Sequence, residues 1–217
     1  MPNPVELRLA TSSSSPSGTG SFDYRGEYQI VVENLAYQKQ IAIHGTTGSG
    51  APFVDRTASF QESLPGGLEL WRAVTADQLL EFAVEYGVNG ATFWDNNGGG
   101  NYLQPPVFDE FDALLGREPE IVQGSAGFSD ATHVRVLAAV KNLAFAKQVG
   151  MVFTTDGWAT ANVATGNFDH TLKSGNEVWA IQAPVGAATR VEYALFYRVS
   201  GQEFWDNNFW RNYALTR

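Results

Sequence analysis

The sequence predicts an all-β protein made of two tandem β-sandwich modules. Three observations support this prediction: a composition suited to short strands, an internal repeat with a period of about 110 residues, and strand-like runs joined by tight-turn residues. Of the 217 residues, 17% are charged and 13% are aromatic, and 22 are glycine. That balance suits strands and turns better than it suits long surface helices.

The first repeated block precedes the middle of each copy. The segment Asn34–Gln40, which reads Asn-Leu-Ala-Tyr-Gln-Lys-Gln, returns 108 residues later as Asn142–Gln148. Between residues 31–47 and 139–155, 8 of 17 positions are identical. A match of this extent indicates an internal duplication.

The second repeated block closes each copy. Residues 81–102 return 111 residues later as 192–213, with 12 of 22 positions identical. A period of this length corresponds to a whole folded domain and not to a solenoid unit. We therefore predict one module at 1–104, a linker at 105–116 and a second module at 117–217.

Local signals within each copy favour strands and hairpins. The β-rich runs 27–32 and 134–140 lead into the first repeated block. Asn89-Gly90, and Ser200-Gly201 in the second copy, lie between such runs and predict hairpin turns, because both turn residues need positive φ. Short strands at this spacing are typical of an immunoglobulin-like sandwich. The Ser-rich stretch 11–20 instead predicts a flexible loop inside the first module.

Charge and composition also disfavour several partners, metals and cofactors. The net charge of −9 and the pI near 4.7 disfavour nucleic acid and anionic membranes. The chain has no cysteine and no recurrent metal-ligand spacing, so we expect neither a metal nor another cofactor. The N-terminus lacks the basic and apolar regions of a secretory signal, and we expect a cytoplasmic location.

The residues best suited to contact a ligand close each copy. They form the motif Trp-Asp-Asn-Asn, followed by Asn-Tyr. An indole offers a flat apolar surface to the C–H face of a pyranose, and amides offer paired donors and acceptors to sugar hydroxyls. The candidate residues are Trp94, Asn96, Asn97 and Asn101 in the first copy and Trp205, Asn207, Asn208 and Asn212 in the second.

Strand alternation predicts which of these side chains face solvent. Phe93 and Phe204 precede the two motif tryptophans, so Trp94 and Trp205 point to the opposite face and are expected to be exposed. For Asp95, Asp206 and the first asparagine of each copy, two interpretations stay open. These residues either shape the turn or contact a ligand.

With these motifs the chain resembles carbohydrate-binding module family 21, the starch- and glycogen-binding modules. The resemblance covers one module per copy and rests on Asn-Leu-Ala-aromatic-x-Lys, on the loop Thr154–Trp158, on Trp-Asp-Asn-Asn and on the closing Asn-Tyr. It implies a non-catalytic sandwich of about eight strands per module with two sugar-contact surfaces. The ligand it implies is an α-glucan, either starch or glycogen.

The resemblance also implies residue roles. On the first surface, Trp158 would join Trp205 as a second stacking platform in copy two. The second surface would use Tyr37 and Lys39 in the first copy and Phe145 and Lys147 in the second, with Phe60 and Phe168 either completing it or packing in the core. Trp71 and Trp179 are expected in the cores.

The first copy departs from the family pattern. It has Thr46–Gly50 where the second copy has Thr154–Trp158, so it lacks the loop indole, and Phe53 is the candidate replacement. Ala83 and Ala194 lie where starch-binding members can carry a further tyrosine. Gly98-Gly99-Gly100 becomes Phe209-Trp210-Arg211 in copy two.

Three other functions compete with α-glucan binding. A cytosolic lectin with another glycan specificity remains open. The resemblance implies that phosphatase-targeting members carry a short docking motif, typically basic-Val-x-Phe, in flexible sequence outside the module. The nearest match here, Arg190–Tyr193, ends in tyrosine and lies inside a predicted strand. A scaffold that recruits a phosphatase to glycogen is therefore disfavoured, and a phosphatase partner is expected to be unlikely. A glycosidase needs two carboxylates flanking the scissile bond. Asp95 and Asp206 each stand alone among amides, so the sequence predicts no enzyme.

Overall fold

The computed structural model describes residues 3–18, 20–108 and 110–217. Thr19 and Asp109, which fall within the predicted Ser-rich loop and the predicted linker, lie outside the described residues, as do Met1 and Pro2. The chain divides into two compact units, Met1–Pro119 and Glu120–Arg217. Each unit has two antiparallel sheets around its own core, which confirms the predicted all-β sandwich class.

The described part of the first unit contains ten strands. Their bounds are β1 Val5–Pro16, β2 Phe22–Glu33, β3 Lys39–Thr46, β4 Val54–Thr57, β5 Ser59–Leu64, β6 Leu68–Thr75, β7 Glu81–Val88, β8 Ala91–Asp95, β9 Tyr102–Leu103 and β10 Phe111–Leu115. One sheet has the order β10-β1-β2-β6-β5, and the other has β4-β3-β7-β8, with β9 also paired to β7. Alternate residues of both sheets, such as Ile30 and Ile43, meet in the core.

The second unit contains eight strands. Their bounds are β11 Ile121–Phe128, β12 His133–Val140, β13 Lys147–Thr154, β14 Asn162–Thr171, β15 Glu177–Pro184, β16 Arg190–Val199, β17 Gln202–Asp206 and β18 Tyr213–Thr216. The strand order is β11-β12-β15-β14-β13-β16-β17, with β18 paired to β16. Val136 and Leu195 lie in the shared core of the two sheets.

Strand β14 belongs to both sheets of the second unit. Its first part pairs with β13, and from Gly166 onward it pairs with β15. A Cβ on Gly166 would lie 2.8 Å from Ile181 Cγ1, so glycine permits the close approach at this crossing. In the first unit the same path is broken at Ala58 into two strands, β4 and β5.

Two segments differ from their sequence-based predictions. The predicted linker contains β10, whose register with β1 includes Leu9 opposite Leu115. Ala113 and Leu115 are buried there, so the segment completes the first core. The Ser-rich stretch is mostly strand, because backbone pairing from Thr11 to Pro16 with β2 does not depend on hydroxyl side chains.

Candidate functional site

The two motif tryptophans lie on the outer faces of corresponding strands. Trp94 on β8 is 41% exposed and Trp205 on β17 is 46% exposed. Phe93 and Phe204, one residue earlier, pack against the two cores. The exposure predicted from strand alternation is therefore confirmed in both units.

The aspartate of each motif is a structural residue. The Asp95 Oδ2 atom accepts hydrogen bonds from the Leu7 backbone N–H at 2.7 Å and from the Tyr102 hydroxyl at 2.8 Å. Asp206 Oδ2 accepts equivalent bonds from the Gln123 N–H and the Tyr213 hydroxyl, both at 2.8 Å. Both carboxylates are buried. They connect the closing hairpin to the first strand of the unit. For Asp95 and Asp206 this geometry favours the first of the two open interpretations, in which they shape the turn.

The asparagines of the first unit shape the loop between β8 and β9. Asn96 Oδ1 accepts from the Gly99 N–H at 3.0 Å, and Asn97 Nδ2 donates to the Asn101 carbonyl at 3.2 Å. Asn97 and Asn101 have φ values of 55° and 54°, a region that asparagine tolerates better than most residues. The Asn101 amide also donates to Glu81 Oε1 at 2.7 Å. Among the described residues, no protein group contacts Asn96 Nδ2 or Asn97 Oδ1 through a hydrogen bond.

The second unit repeats this loop with bulkier residues. Asn207 Oδ1 accepts from the Trp210 N–H at 3.0 Å, and Asn208 Nδ2 donates to the Asn212 carbonyl at 3.1 Å. Trp210 has a φ of 69° and an 85% exposed side chain. Arg211 Nη2 donates to Asn208 Oδ1 at 3.1 Å. The loop amides of Asn207 and Asn208 thus bind backbone groups. Among the described residues, no protein group forms a hydrogen bond with Asn207 Nδ2 or with the Asn212 side-chain amide.

Trp158 is fixed by its own loop and by a neighbouring strand. Its N–H donates to Thr154 Oγ1 at 3.0 Å, and its φ is 71°. The indole Nε1 donates to Glu192 Oε2 at 2.8 Å, while Arg190 Nε donates to Glu192 Oε1 at 3.0 Å. The Arg190 bond, and then the indole bond, lower the pKa of Glu192. The carboxylate therefore stays charged and orients an indole that is 38% exposed.

Trp205 is held in the same way. Its Nε1 donates to Glu203 Oε1 at 2.8 Å, and Arg198 Nε donates to the other oxygen of Glu203. The bond from Arg198 is the main cause of the lowered pKa of Glu203. Our sequence analysis missed Glu203, although the alternation Glu203-x-Trp205 places both side chains on one face. We call the indole, carboxylate and arginine together the platform clamp.

The first unit has a different aromatic neighbour for Trp94. The His44 ring stacks on Phe53 at 5.2 Å between centroids, and it meets Trp94 edge-on at 5.6 Å. His44 Nδ1 lies 2.6 Å from Asp55 Oδ1. Phe53, predicted as the replacement for the loop indole, therefore reaches the Trp94 surface through His44. Sequence analysis missed His44, because Val152 occupies its position in the second copy.

The predicted second surface retains its aromatic residues but loses its lysines. Tyr37 and Phe145 are 99% and 103% exposed. The side chains of Lys39 and Lys147, in contrast, are 3% and 2% exposed and form ion pairs with Glu69 and Glu177 at 2.7 and 2.8 Å. The predicted ligand-contacting role of the two lysines was wrong. The reason is that each ammonium is already bound to a glutamate and to the first asparagine of the Asn-Leu-Ala block.

Trp71 and Trp179 are half-buried and pack against the two cores. Each indole N–H donates to the glutamate of the buried ion pair, at 2.9 Å for Trp71 and 3.0 Å for Trp179. Phe60 and Phe168 meet these indoles edge-on and are about half exposed. The two phenylalanines thus lie at the surface and not in the core.

A small acidic cavity lies beneath the motif of the first unit. It has a volume of about 160 Å³ and is lined by Asn3, Val5, Glu6, Asp95, Arg117 and Glu118. Burial, followed by repulsion from Glu118 and Asp95, raises the pKa of Glu6 from 4.5 to about 7. Across residues 3–18, 20–108 and 110–217, no group of three or more acidic, histidine or cysteine side chains is arranged to hold a metal ion. No helix in the same ranges is long and apolar enough to cross a membrane.

The buried ion pair in the second unit generates the first prediction. Lys147→Met leaves the Glu177 carboxylate buried without its cation, which should lower the free energy of unfolding by about 3 kcal/mol. Arg135→Met is the control, because its pair with Asp169 is exposed and the variant should lose less than about 1 kcal/mol. Urea denaturation of the full chain measures both. Equal losses in Lys147→Met and Arg135→Met would contradict the structural role of Lys147.

The acidic cavity generates the second prediction. Because the folded-state pKa of Glu6 exceeds its value in the unfolded chain, ionisation of Glu6 opposes folding at high pH. Glu6→Gln should therefore be more stable than the original chain at pH 8, with the difference vanishing by about pH 4. Glu27→Gln is the control of opposite sign, since the hydrogen bond from Arg72 lowers the pKa of Glu27. Thermal unfolding at both pH values tests the pair, and destabilisation by Glu6→Gln at pH 8 would refute the assignment.

Comparisons with known proteins are consistent with the repeated architecture. Residues 25–104 and 120–216 each match the carbohydrate/starch-binding module (family 21). The chain is 36% identical over 121 residues to protein phosphatase 1 regulatory subunit 3E of Rattus norvegicus, covering 48% of this chain and 43% of the relative. It is 26% identical over 121 residues to glycogen-binding subunit 76A of Drosophila melanogaster, covering 52% and 18%.

The expectation that a phosphatase partner is unlikely was wrong, because regulatory subunits of protein phosphatase 1 are among the relatives. The chain spans less than half the length of these curated relatives.

Among solved structures, the starch-binding domain of Rhizopus oryzae glucoamylase, in complex with β-cyclodextrin and maltoheptaose, shares 26% identity at a TM-score of 0.41, covering 46% of this chain and 95% of the domain. With a family match in each unit, the chain belongs to carbohydrate-binding module family 21.

Proposed function

We propose that this protein binds α-glucan without cleaving it, chiefly through the outer face of the second unit. The observation that carries the proposal is the pair of exposed indoles, Trp158 and Trp205, each fixed by its own platform clamp. Glu192 accepts a hydrogen bond from the Trp158 indole, and the Phe196 ring packs against Trp205. Glu192 and Phe196 lie on the same side of β16, so both platforms lie on one face. Family membership supports carbohydrate as the ligand class. The name of the Drosophila relative supports glycogen.

The chemistry of the face suits a neutral sugar polymer. An indole held by its N–H keeps its flat side available for the C–H face of a pyranose. The clamp also reduces the side-chain entropy that binding would otherwise remove. Asn207 Nδ2 and the Asn212 amide supply hydrogen-bonding groups at the edge of the Trp205 platform. We infer that Asn96, Asn97 and Trp94 form the weaker counterpart in the first unit, together with His44 and Phe53.

A second surface in each unit is centred on an exposed aromatic side chain. Tyr37 precedes β3 and Phe145 precedes β13, and their exposure leaves both faces of each ring available. Phe60 and Phe168 are exposed on strands of the other sheet. We propose that Tyr37 and Phe145 make stacking contacts with the polymer, without the two lysines first assigned to this surface.

Binding without hydrolysis is supported by how the motif carboxylates are used. Asp95 and Asp206 are buried and accept hydrogen bonds from a backbone N–H and a tyrosine hydroxyl. A glycosidase acid or nucleophile must instead reach the bond between two sugars. The two aspartates therefore favour a holding site. A lectin that takes another glycan has the same requirements, so oligosaccharide choice separates the two functions.

The phosphatase-subunit relatives favour a second candidate function, the anchoring of a type-1 protein phosphatase to glycogen. The segment Arg190–Tyr193 does not provide the docking motif, because Val191 and Tyr193 are buried in β16. A contact with the phosphatase would therefore use another surface of the chain or sequence beyond it.

The α-glucan proposal predicts an asymmetry between the two platforms. The chain should be retarded in gels containing amylopectin, and maltoheptaose should reverse the retardation. Trp205→Ala should weaken maltoheptaose binding at least tenfold, about 1.4 kcal/mol, because buried aromatic contacts dominate such sites. Trp94→Ala should weaken it less.

Arg135→Ala, on the opposite sheet, is the control and should bind normally. Calorimetry gives the affinities, and circular dichroism checks the folds. Retardation by another polysaccharide alone would favour the lectin. A larger loss from Trp94→Ala would shift the dominant site to the first unit.

The anchoring candidate has its own expected outcome. The chain bound to amylopectin beads should capture purified catalytic subunit of protein phosphatase 1 at near-equimolar amounts. Beads with the Trp205→Ala, Trp94→Ala double variant are the control, since loss of the chain from the beads should remove the phosphatase too. Absence of capture at micromolar concentration would leave polysaccharide binding as the function of this chain.

A further inference from the structure

A groove continues the outer face of the second unit beyond Trp205. It has a volume of about 430 Å³ and is lined by the start of β13 and by the hairpin between β16 and β17. The turn of that hairpin is Ser200-Gly201, with φ values of 51° and 78°. The lining residues that matter here are Gln148, Arg198 and Gln202.

A row of hydrogen bonds connects the groove to the Trp205 platform. Arg198 Nη1 donates to Gln148 Oε1 at 3.4 Å on one side, and Arg198 Nε donates to Glu203 on the other. Glu203 in turn accepts from the Trp205 indole. The four side chains cross β13, β16 and β17, so they lie on one face of the sheet.

The groove is close to both aromatic surfaces of this unit. Gln148 pairs with Arg198 across β13 and β16, and Trp205 pairs with Phe196 across β16 and β17. Two strand spacings, roughly 10 Å, and two residues along β16, roughly 7 Å, therefore separate Gln148 from Trp205. At the other end, Ala146 lines the groove directly after the fully exposed Phe145.

The charges of the groove suit an uncharged ligand. The Arg198 guanidinium lies 4.4 Å from the centre of the Phe196 ring and is neutralised by Glu203. The Lys147 ammonium is buried against Glu177, so this lysine presents its aliphatic stem. Two glutamine amides at the groove can both donate and accept hydrogen bonds. This combination suits sugar hydroxyls better than an anion or a cation.

The groove chemistry is specific to the second unit. At the repeat offset of 111 residues, Arg198 corresponds to Gly87, Gln202 to Ala91 and Glu203 to Thr92. Gln148 alone is retained, as Gln40. The first unit thus lacks the guanidinium and one of the two amides.

We propose that this groove is a further subsite for a neutral glucan chain, which joins the Trp205 platform to the Phe145 surface in one continuous track. The inference rests on the proposed function, since it assumes that Trp205 stacks on the same chain. A short oligosaccharide fills the platforms alone, whereas a longer one also reaches Gln148 and Gln202. The subsite therefore adds affinity only for longer ligands.

The test compares maltotriose and maltoheptaose on the full chain by calorimetry. The Gln148→Ala, Gln202→Ala double variant should lose about three- to tenfold in maltoheptaose affinity, the range expected for one or two hydrogen bonds, with maltotriose affinity unchanged. Gln40→Ala in the first unit is the matched control and should change neither affinity. Arg198→Ala should weaken both ligands, because Arg198 also positions Glu203 and Trp205.

Each outcome of this comparison bears on the subsite. A loss confined to maltoheptaose supports it. An equal loss for both oligosaccharides, or no loss for either, overturns it while leaving the proposed function intact, provided that Trp205→Ala still reduces binding. If the original chain binds neither oligosaccharide, the proposed function and the subsite fail together.

Discussion

The buried aspartate of each closing hairpin holds the strand end on which the proposed binding face depends. Asp206 connects the end of β17 to the backbone of β11 and to the Tyr213 hydroxyl of β18. A charged acceptor in a buried position strengthens both hydrogen bonds, and its loss would leave donors unsatisfied. Because the end of β17 is fixed in this way, the preceding side chain, Trp205, has only the outer face available.

From this constraint the site follows by strand geometry. Outward residues of β16 alternate Arg190, Glu192, Ala194, Phe196 and Arg198, and each end of this row supplies one platform clamp. The carboxylates between indole and arginine hold the rings in place without covering them. The proposed binding face is therefore organised by the protein alone, and such preorganisation lowers the entropic cost of binding.

Much of the fold could be predicted from the sequence, because the repeat, the Asn-Gly turn and the alternation near Trp94 and Trp205 are local signals. The errors arose where a partner lies far along the chain. In the sequence Lys147 resembles a surface residue, because its ion-pair partner Glu177 lies 30 residues away along the chain. The strand Phe111–Leu115 was missed because its partner, β1, begins about a hundred residues earlier. Glu192 was missed because its indole, Trp158, lies 34 residues away along the chain. Glu203 was missed although it lies only two residues from Trp205 on the same strand.

The two asparagine loops show what duplication allows. In both units the asparagine side chains and the buried aspartate satisfy the loop backbone, whichever residues occupy the three positions between them. The first unit has three glycines there, whereas the second accommodates Phe209 and Trp210 at positive φ, a conformation that bulky residues seldom adopt. The loop therefore reaches the same backbone conformation with different residues at these three positions. Within a single polypeptide, the loop side chains of one copy can therefore differ in size and charge from those of the other while both loops keep the same backbone hydrogen bonds.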